Sequence, residues 1–342
     1  MALIANPLGS PLPLVAAPMS GGATTVRLAA AATEAGAFAF LAGGYKTSDT
    51  LAAEIAELRR RTDNFGVNLF APTPSSISEA DYRRYAEELR AEAERFGLDL
   101  PPVPQTDDDR WQDKLDLLLA DPVPVVSVTF GLPRPADLAA LRRAGSRLLV
   151  TVTTVSEARA AAEAGADALI VQGSDAGGHS GTHDPHRTIT PTRTDELVRA
   201  VGQATGLPLL ATGGVDGPRA VATLLDAGAD AVAVGTLLLR TDESGASKTY
   251  QDALADPGFP GTVVTRAFTG RYARGLRNQF IADHEASAPA GYPAIHHLTR
   301  GLRQAAAAAG DPHRLHLWAG TGYRNARPGP ARAVFEWLAG DL

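Results

Sequence analysis

Ser156-Glu157-Ala158-Arg159-Ala160-Ala161-Ala162-Glu163-Ala164-Gly165-Ala166-Asp167-Ala168-Leu169-Ile170-Val171-Gln172 reads as a helix, a stop and a strand. The alanine-rich half is amphipathic at helical spacing and runs into Ala164-Gly165, where a helix ends best on a left-handed residue. Ala168–Val171 is then a short continuous apolar run, as expected of a strand buried on both faces. The same phrase returns at Ala35-Gly36-Ala37, Ala144-Gly145-Ser146 and Ala227-Gly228-Ala229-Asp230. Apolar runs follow each time, at Phe38–Leu41, Leu148–Val152 and Ala231–Val234.

Working outward, strands are expected at Leu14–Ala17, Phe38–Ala42, Gly66–Phe70, Val123–Phe130, Leu148–Val152, Ala168–Gln172, Leu207–Ala211 and Ala231–Gly235. Helices are expected between them, near Thr24–Ala35, Asp49–Arg61, Trp111–Ala120, Ala136–Arg143, Ser156–Ala164, Thr194–Thr205 and Pro218–Ala227. This alternation predicts an α/β fold, a TIM (β/α)8 barrel. An open nucleotide-binding sheet would carry G-x-G-x-x-G after its first strand. Ser20-Gly21-Gly22-Ala23-Thr24-Thr25 does not match it.

Two stretches break the period. Ala71 to Arg110 is proline-rich, then helical over Tyr82–Phe96, then proline-rich again. Thr241 to Arg314 follows the eighth strand and holds a helix over His297–Ala309. Insertions after the third and eighth strands both emerge at the C-terminal face of a barrel. The expected division is therefore a barrel of residues 1–70, 111–240 and 315–342, roofed by a smaller, mainly helical inserted domain of residues 71–110 and 241–314. The run Asp107-Asp108-Asp109 is expected to be solvated surface.

With 342 residues, the chain can bury a full core without staples. It has no cysteine, which excludes disulfides, thiolate metal sites, Fe–S clusters and a cysteine nucleophile. The net charge of −6 offers no basic excess for nucleic acid or an anionic membrane. Only Lys46, Lys114 and Lys248 are lysines, a bias read as genomic composition. No segment approaches the ~18–20 apolar residues that cross a bilayer. Met1 to Met19 is apolar, but it has no basic residue and is broken by Pro7, Pro11 and Pro13. It reads as the approach to a first strand rather than a signal peptide, and a cytoplasmic protein is expected.

The loops after the strands form the catalytic face of a barrel. Those after strands seven and eight commonly hold a phosphate, and here they read Thr212-Gly213-Gly214-Val215 and Val234-Gly235-Thr236. Glycines let backbone N–H groups approach an anion, and the helix from Pro218 lies near. Tight turns alone would also explain either pair; both pairs together favour phosphate. Asn68 and Gln172, at the ends of strands three and six, each offer a donor and an acceptor. Pro18, Met19, Ser20 and Gly21 can pack against a flat ring. FMN fits this set.

His179 lies in Gly177-Gly178-His179-Ser180-Gly181, just past a strand end, and can exchange a proton near neutral pH. His183 and His186 follow it, but the loop contains Gly and Pro, so no metal site is assigned. His296-His297 is placed at a helix start and His313 and His316 near a domain return, without roles.

With these residues placed, the chain resembles the nitronate monooxygenase (2-nitropropane dioxygenase) family over nearly its whole length. The anchors are Ala17-Pro18-Met19-Ser20-Gly21-Gly22, Gly66-Val67-Asn68-Leu69-Phe70 and Val128-Thr129-Phe130-Gly131-Leu132-Pro133. They continue through Gln172 to Gly181, Thr212-Gly213-Gly214-Val215, Val234-Gly235-Thr236, Arg266 to Gly275 and Leu317-Trp318-Ala319-Gly320-Thr321-Gly322. Gly44-Tyr45-Lys46 and Trp318-Ala319-Gly320 look most like the class I branch. The resemblance implies non-covalent FMN touched by Asn68, Gln172, Gly177, Gly214, Gly235 and Thr236, with His179 as the active-site histidine. It implies oxidation of alkyl nitronates by O2 to a carbonyl compound and nitrite, begun by one electron passing to FMN. His179 would position or protonate substrate, or act as base on a neutral nitroalkane. A homodimer is compatible with it. Departures are Ala233-Val234 at the eighth strand, Thr321, Tyr272, and Thr182-His183-Asp184-Pro185-His186; they bear on substrate identity more than on FMN.

The residues leave two other functions open. One is an NAD(P)H-dependent FMN reductase of a quinone or enoyl thioester. The other is a flavin-binding protein without turnover.

Overall fold

The computed structural model describes residues 7–72 and 77–340. The first residues of the Met1–Met19 stretch, Thr73–Ser76 of the first insertion and the last two residues lie outside the described residues. The strands are β1 (Leu14–Ala16), β2 (Phe38–Ala42), β3 (Gly66–Phe70), β4 (Val125–Thr129), β5 (Arg147–Val152) and β6 (Ala168–Gln172). A two-residue β7 (Gly178–His179) precedes β8 (Leu209–Thr212) and β9 (Ala231–Val234). All but β7 close into one parallel barrel, with β9 returning to β1. The TIM barrel expected from the alternation is the observed fold.

Between the strands run α1 (Val26–Glu34), α2 (Ser48–Arg59), α3 (Glu79–Glu88), α4 (Arg90–Arg95), α5 (Trp111–Ala120), α6 (Pro135–Arg143), α7 (Val155–Glu163), α8 (Thr194–Thr205) and α9 (Pro218–Asp226). Thr25, Thr47 and Thr154 cap α1, α2 and α7 by accepting backbone N–H bonds. The repeated glycines close α1, α6, α7 and α9 at φ +87° (Gly36), +103° (Gly145), +87° (Gly165) and +103° (Gly228). These are conformations a side chain resists.

Alternation within the strands builds two cores. Val15, Phe38, Phe40, Val125, Leu149, Ala168, Ile170, Leu210 and Ala231 fill the barrel interior. Their neighbours Ala39, Leu41, Val67, Val126, Val150, Leu169 and Val232 face the helices. Burying each Phe contributes about 1.5–3 kcal/mol. Gly66 is required by this filling, because a Cβ there would stand 2.4 Å from Phe40. The inward parity of each strand continues to polar groups at the C-terminal rim, namely Asn68, Thr129, Thr151, Gln172 and Thr212.

Some boundaries differ from expectation. The fourth and seventh strands begin at Val125 and Leu209, two residues late, because Pro124 and Pro208 have no N–H to give the ladder. The helix expected over Tyr82–Phe96 is broken at Leu89 into α3 and α4.

After β9 come α10 (Lys248–Ala255), β10 (Thr262–Thr265), β11 (Ala273–Leu276), α11 (Gln279–His284), α12 (Ala294–Ala309) and α13 (Ala331–Ala339). Of these the sequence reading placed only α12, and started it three residues late. β10, β11 and β7 form an antiparallel sheet, so this region is less purely helical than expected. Tyr82, Tyr85, Leu89 and Ala93 of the first insertion share one buried cluster with Phe268, Phe280, Ile281, Ile295 and Leu298 of the second. The Tyr85 hydroxyl donates to Ala267 O at 2.6 Å across them. No helix of the described residues is long and apolar enough to cross a membrane.

Candidate active site

A cavity of about 940 Å³ opens at the C-terminal ends of the barrel strands. Pro18, Met19, Ser20, Gly21, Asn68, Gln172, Gly177, Gly178, His179, Gly213, Gly214, Gly235 and Thr236 all line it. The fold thus brings together every residue singled out for the site.

At the ends of β8 and β9, the N–H groups of Gly213, Gly214, Gly235 and Thr236 find no acceptor in the chain among the described residues. Gly213 and Gly214 hold φ of +110° and +76°. Such donors need a partner, and an anion such as a phosphate can supply one. Asp175 stands beside Gly214, where a Cβ would meet it at 3.3 Å, and its charge reaches Arg274 and Arg193. Gly177 admits the returning chain, because a Cβ would stand 2.5 Å from Gly320 N. Gly320 N–H in turn donates to Thr236 Oγ1 at 3.0 Å.

Asn68 Nδ2 donates to Ser127 Oγ at 2.9 Å and Thr129 Oγ1 at 3.0 Å, which leaves Oδ1 as an acceptor. Gln172 differs from expectation. Its Oε1 accepts from Gly181 N–H at 2.7 Å and its Nε2 donates to His179 O at 3.1 Å. Its amide therefore braces the histidine loop, and one Nε2 hydrogen remains for the cavity.

His179 lies on β7, paired with Ala273 of β11. Its Nε2 meets Thr269 Oγ1 at 2.9 Å, and Thr269 Oγ1 lies 3.2 Å from Arg271 O. The one hydroxyl proton of Thr269 serves either Arg271 O or His179 Nε2, and in the second case the His179 proton sits on Nδ1. Burial, with Arg271 and Arg303 nearby, pushes the imidazole down to about 3. It is a neutral ring at neutral pH. Arg271, itself buried, donates to Ser180 O and Thr182 O and lies over the Phe130 ring at 4.0 Å.

His183 and His186 do not join His179. His183 Nε2 bonds Thr151 O at 3.0 Å, and His186 is exposed. The acidic run is not merely solvated. Asp109 pairs with the buried Lys114 at 2.7 Å and accepts from Tyr45 N–H at 2.8 Å, while Asp107 bonds His297 Nε2 at 2.7 Å.

Several cavity residues were passed over. Tyr45 and His296 stack at 4.3 Å, and Tyr292, Arg303, His316 and Trp318 line the same wall. His296 was read only as a helix start. The available signal was the seven-residue step from His296 to Arg303, two turns along one face of α12.

The nitronate monooxygenase family model matches residues 9–340. A probable nitronate monooxygenase of Staphylococcus aureus (strain Newman) is 34% identical over 335 residues, spanning 96% of this chain and 94% of its own. A nitroalkane oxidase from Streptomyces ansochromogenes superposes with a TM-score of 0.92 at 47% identity, covering 97% of this chain and 96% of its own. FabK from Thermotoga maritima superposes at 0.71 with 26% identity, over 98% and 93%.

Proposed function

The chain belongs to the nitronate monooxygenase family, and from that premise we propose that it oxidises alkyl nitronates with O2, giving a carbonyl compound and nitrite, with bound FMN. The observation that carries this reading is the juxtaposition in one cavity of four unsatisfied backbone donors, the Asn68 acceptor and the neutral His179. The 47% identity to a nitroalkane oxidase supports the nitro-compound class.

Gly213, Gly214, Gly235 and Thr236 would hold the FMN phosphate through N–H groups. Asn68 Oδ1 would accept from a ring N–H, and Pro18, Met19, Ser20 and Gly21, with Gly177 and Gly178, would bound the heterocycle. When bound, FMN supplies the electron-accepting ring that no side chain here replaces. A ring held at about 3 is too weak a base for a nitroalkane α-proton, so His179 would act on the nitronate already ionised, its Nδ1–H donating to a substrate oxygen when Thr269 donates to Nε2. Phe70, Phe130 and Trp318 wall this space with apolar surface that limits water. The two insertions would act as one lid over it.

The test is the visible spectrum of the purified protein, followed by anaerobic mixing with propyl-1-nitronate or NADH. Flavin bands bleached by the nitronate and restored by air, with nitrite formed, are expected. Rapid bleaching by NADH would instead favour a reductase, and a colourless protein would remove FMN.

A further inference from the structure

Arg303 is 7% exposed and lines the cavity. Its Nε donates to Thr299 Oγ1 at 3.1 Å, Nη2 to His296 O at 2.9 Å and toward His296 Nδ1 at 3.2 Å, and Nη1 to His316 Nε2 at 3.4 Å. All these acceptors are neutral. Four N–H groups are thus placed by the protein, and one N–H on Nη1 and the whole positive charge are left over. Buried Lys114 has Asp109 at 2.7 Å and half-buried Arg314 has Glu92 at 2.6 Å, while buried Arg271, held by carbonyls and the Phe130 ring, does not line the cavity. A buried cation without a counter-charge is costly, so its retention at a cavity wall points to an anion supplied from outside.

The surroundings define where that anion sits. His179 and Trp318 have ring centroids 5.6 Å apart, and Trp318 and His316 5.5 Å. Arg303 links His316 to His296, which lies 6.1 Å from Tyr292, and Tyr292 is 5.7 Å from His179. These six side chains close a ring with His179 on one side and Arg303 opposite. Donation by Arg303 to His316 Nε2 puts that imidazole's proton on Nδ1, a buried atom with no acceptor among the described residues.

We propose that this ring is an anion subsite in which Arg303 receives the NO2 group of the substrate, so that the enzyme selects the ionised nitronate over the neutral nitroalkane. The selectivity rests on the nitro-compound reading above; the anion site does not. A planar guanidinium matches a planar two-oxygen anion. Within a low-dielectric wall the charged substrate gains far more from it than a neutral one. Trp318 and Tyr292 flank the ring and suit the alkyl part. Neutral His179 adds no competing charge.

The experiment uses the flavin-loaded protein and nitrate, an unreactive planar monoanion, by titration calorimetry, with steady-state rates on propyl-1-nitronate and 1-nitropropane. Wild type is expected to bind nitrate competitively with the nitronate. Arg303→Gln is expected to weaken nitrate at least 30-fold and raise KM for the nitronate similarly, with a much smaller effect on 1-nitropropane. Arg303→Lys, which keeps charge but not the fork, is expected to weaken nitrate about tenfold, and decides the matter if the glutamine variant does not fold. Unchanged nitrate affinity in the variant that folds overturns the subsite. Equal losses on both nitro substrates overturn the selectivity. Arg303-dependent nitrate binding without turnover of either nitro compound would reject the proposed reaction and leave the subsite standing.

Discussion

His179 owes its chemistry to three contacts. Thr269 bonds its Nε2, burial keeps it neutral, and Gln172 with Arg271 holds the loop that carries it. His179→Ala is expected to keep flavin and lose about 10–10²-fold in turnover, the worth of a hydrogen bond to a charged substrate. Steady-state rates with the flavin absorbance measured alongside decide it. An imidazole held near 3 stays deprotonated as pH falls through its ordinary value. The rate profile between pH 8 and 5 should therefore lack a histidine limb, and an inflection near 6.5 would contradict the neutral ring. At Gly214, Ala and Asp share the strain of a φ of +76° but differ in charge. Gly214→Asp is expected to lose flavin where Gly214→Ala keeps most of it, read from the ratio of visible to protein absorbance. Equal retention would displace the phosphate.

At the scale of elements, the barrel strands work through parity. Every second side chain points inward, apolar at the base and polar at the rim, so the position that fills the core also aims the site. Gly66 and Phe40 show how tightly the two are tied, since the ring occupies the space of the missing Cβ. Gly66→Ala is expected to destabilise by about 1–3 kcal/mol through overpacking, with a lower urea midpoint and an unchanged slope. A neutral result would mean that Phe40 has room to turn away. β7 has two residues, yet its pairing with β11 ties the loop after β6 to a segment nearly a hundred residues later. No local pattern announces so short a strand.

Across the whole molecule, the cavity wall holds three histidines in the neutral form, one buried and two half-buried. His296 and His316 are held well below their ordinary value by burial and Arg303, as His179 is held at about 3 by burial, Arg271 and Arg303. Below pH 6.5 the unfolded chain takes up protons that the folded chain refuses. Stability is then fully present above 6.5 and falls as pH drops, by about 1.4 kcal/mol per unit for each such histidine. Carboxylates held low, Asp195 and Glu157 among them, respond only below their ordinary range and leave this window to the histidines. Asp109 shifts upward and works the other way, but as one group against three. Urea midpoints at pH 7.5 and 5.5 check this, and an equal or higher midpoint at 5.5 would count against it.

The barrel, its strand ends and thirteen cavity residues were legible because they rest on local rules. Helix stops need glycine, buried strands need apolar runs, and close backbone approach needs missing side chains. The sequence by itself thereby determined the fold and placed the two glycine loops and the histidine loop at the strand ends. Tertiary structure alone decided what Gln172 bonds, that Thr269 meets His179, that Asp109 neutralises Lys114, and that no carboxylate among the described residues pairs with Arg303. Each of these depends on partners far apart in the chain. A hydrogen bond or an uncompensated charge is a property of the pair and its surroundings, and no residue carries it alone.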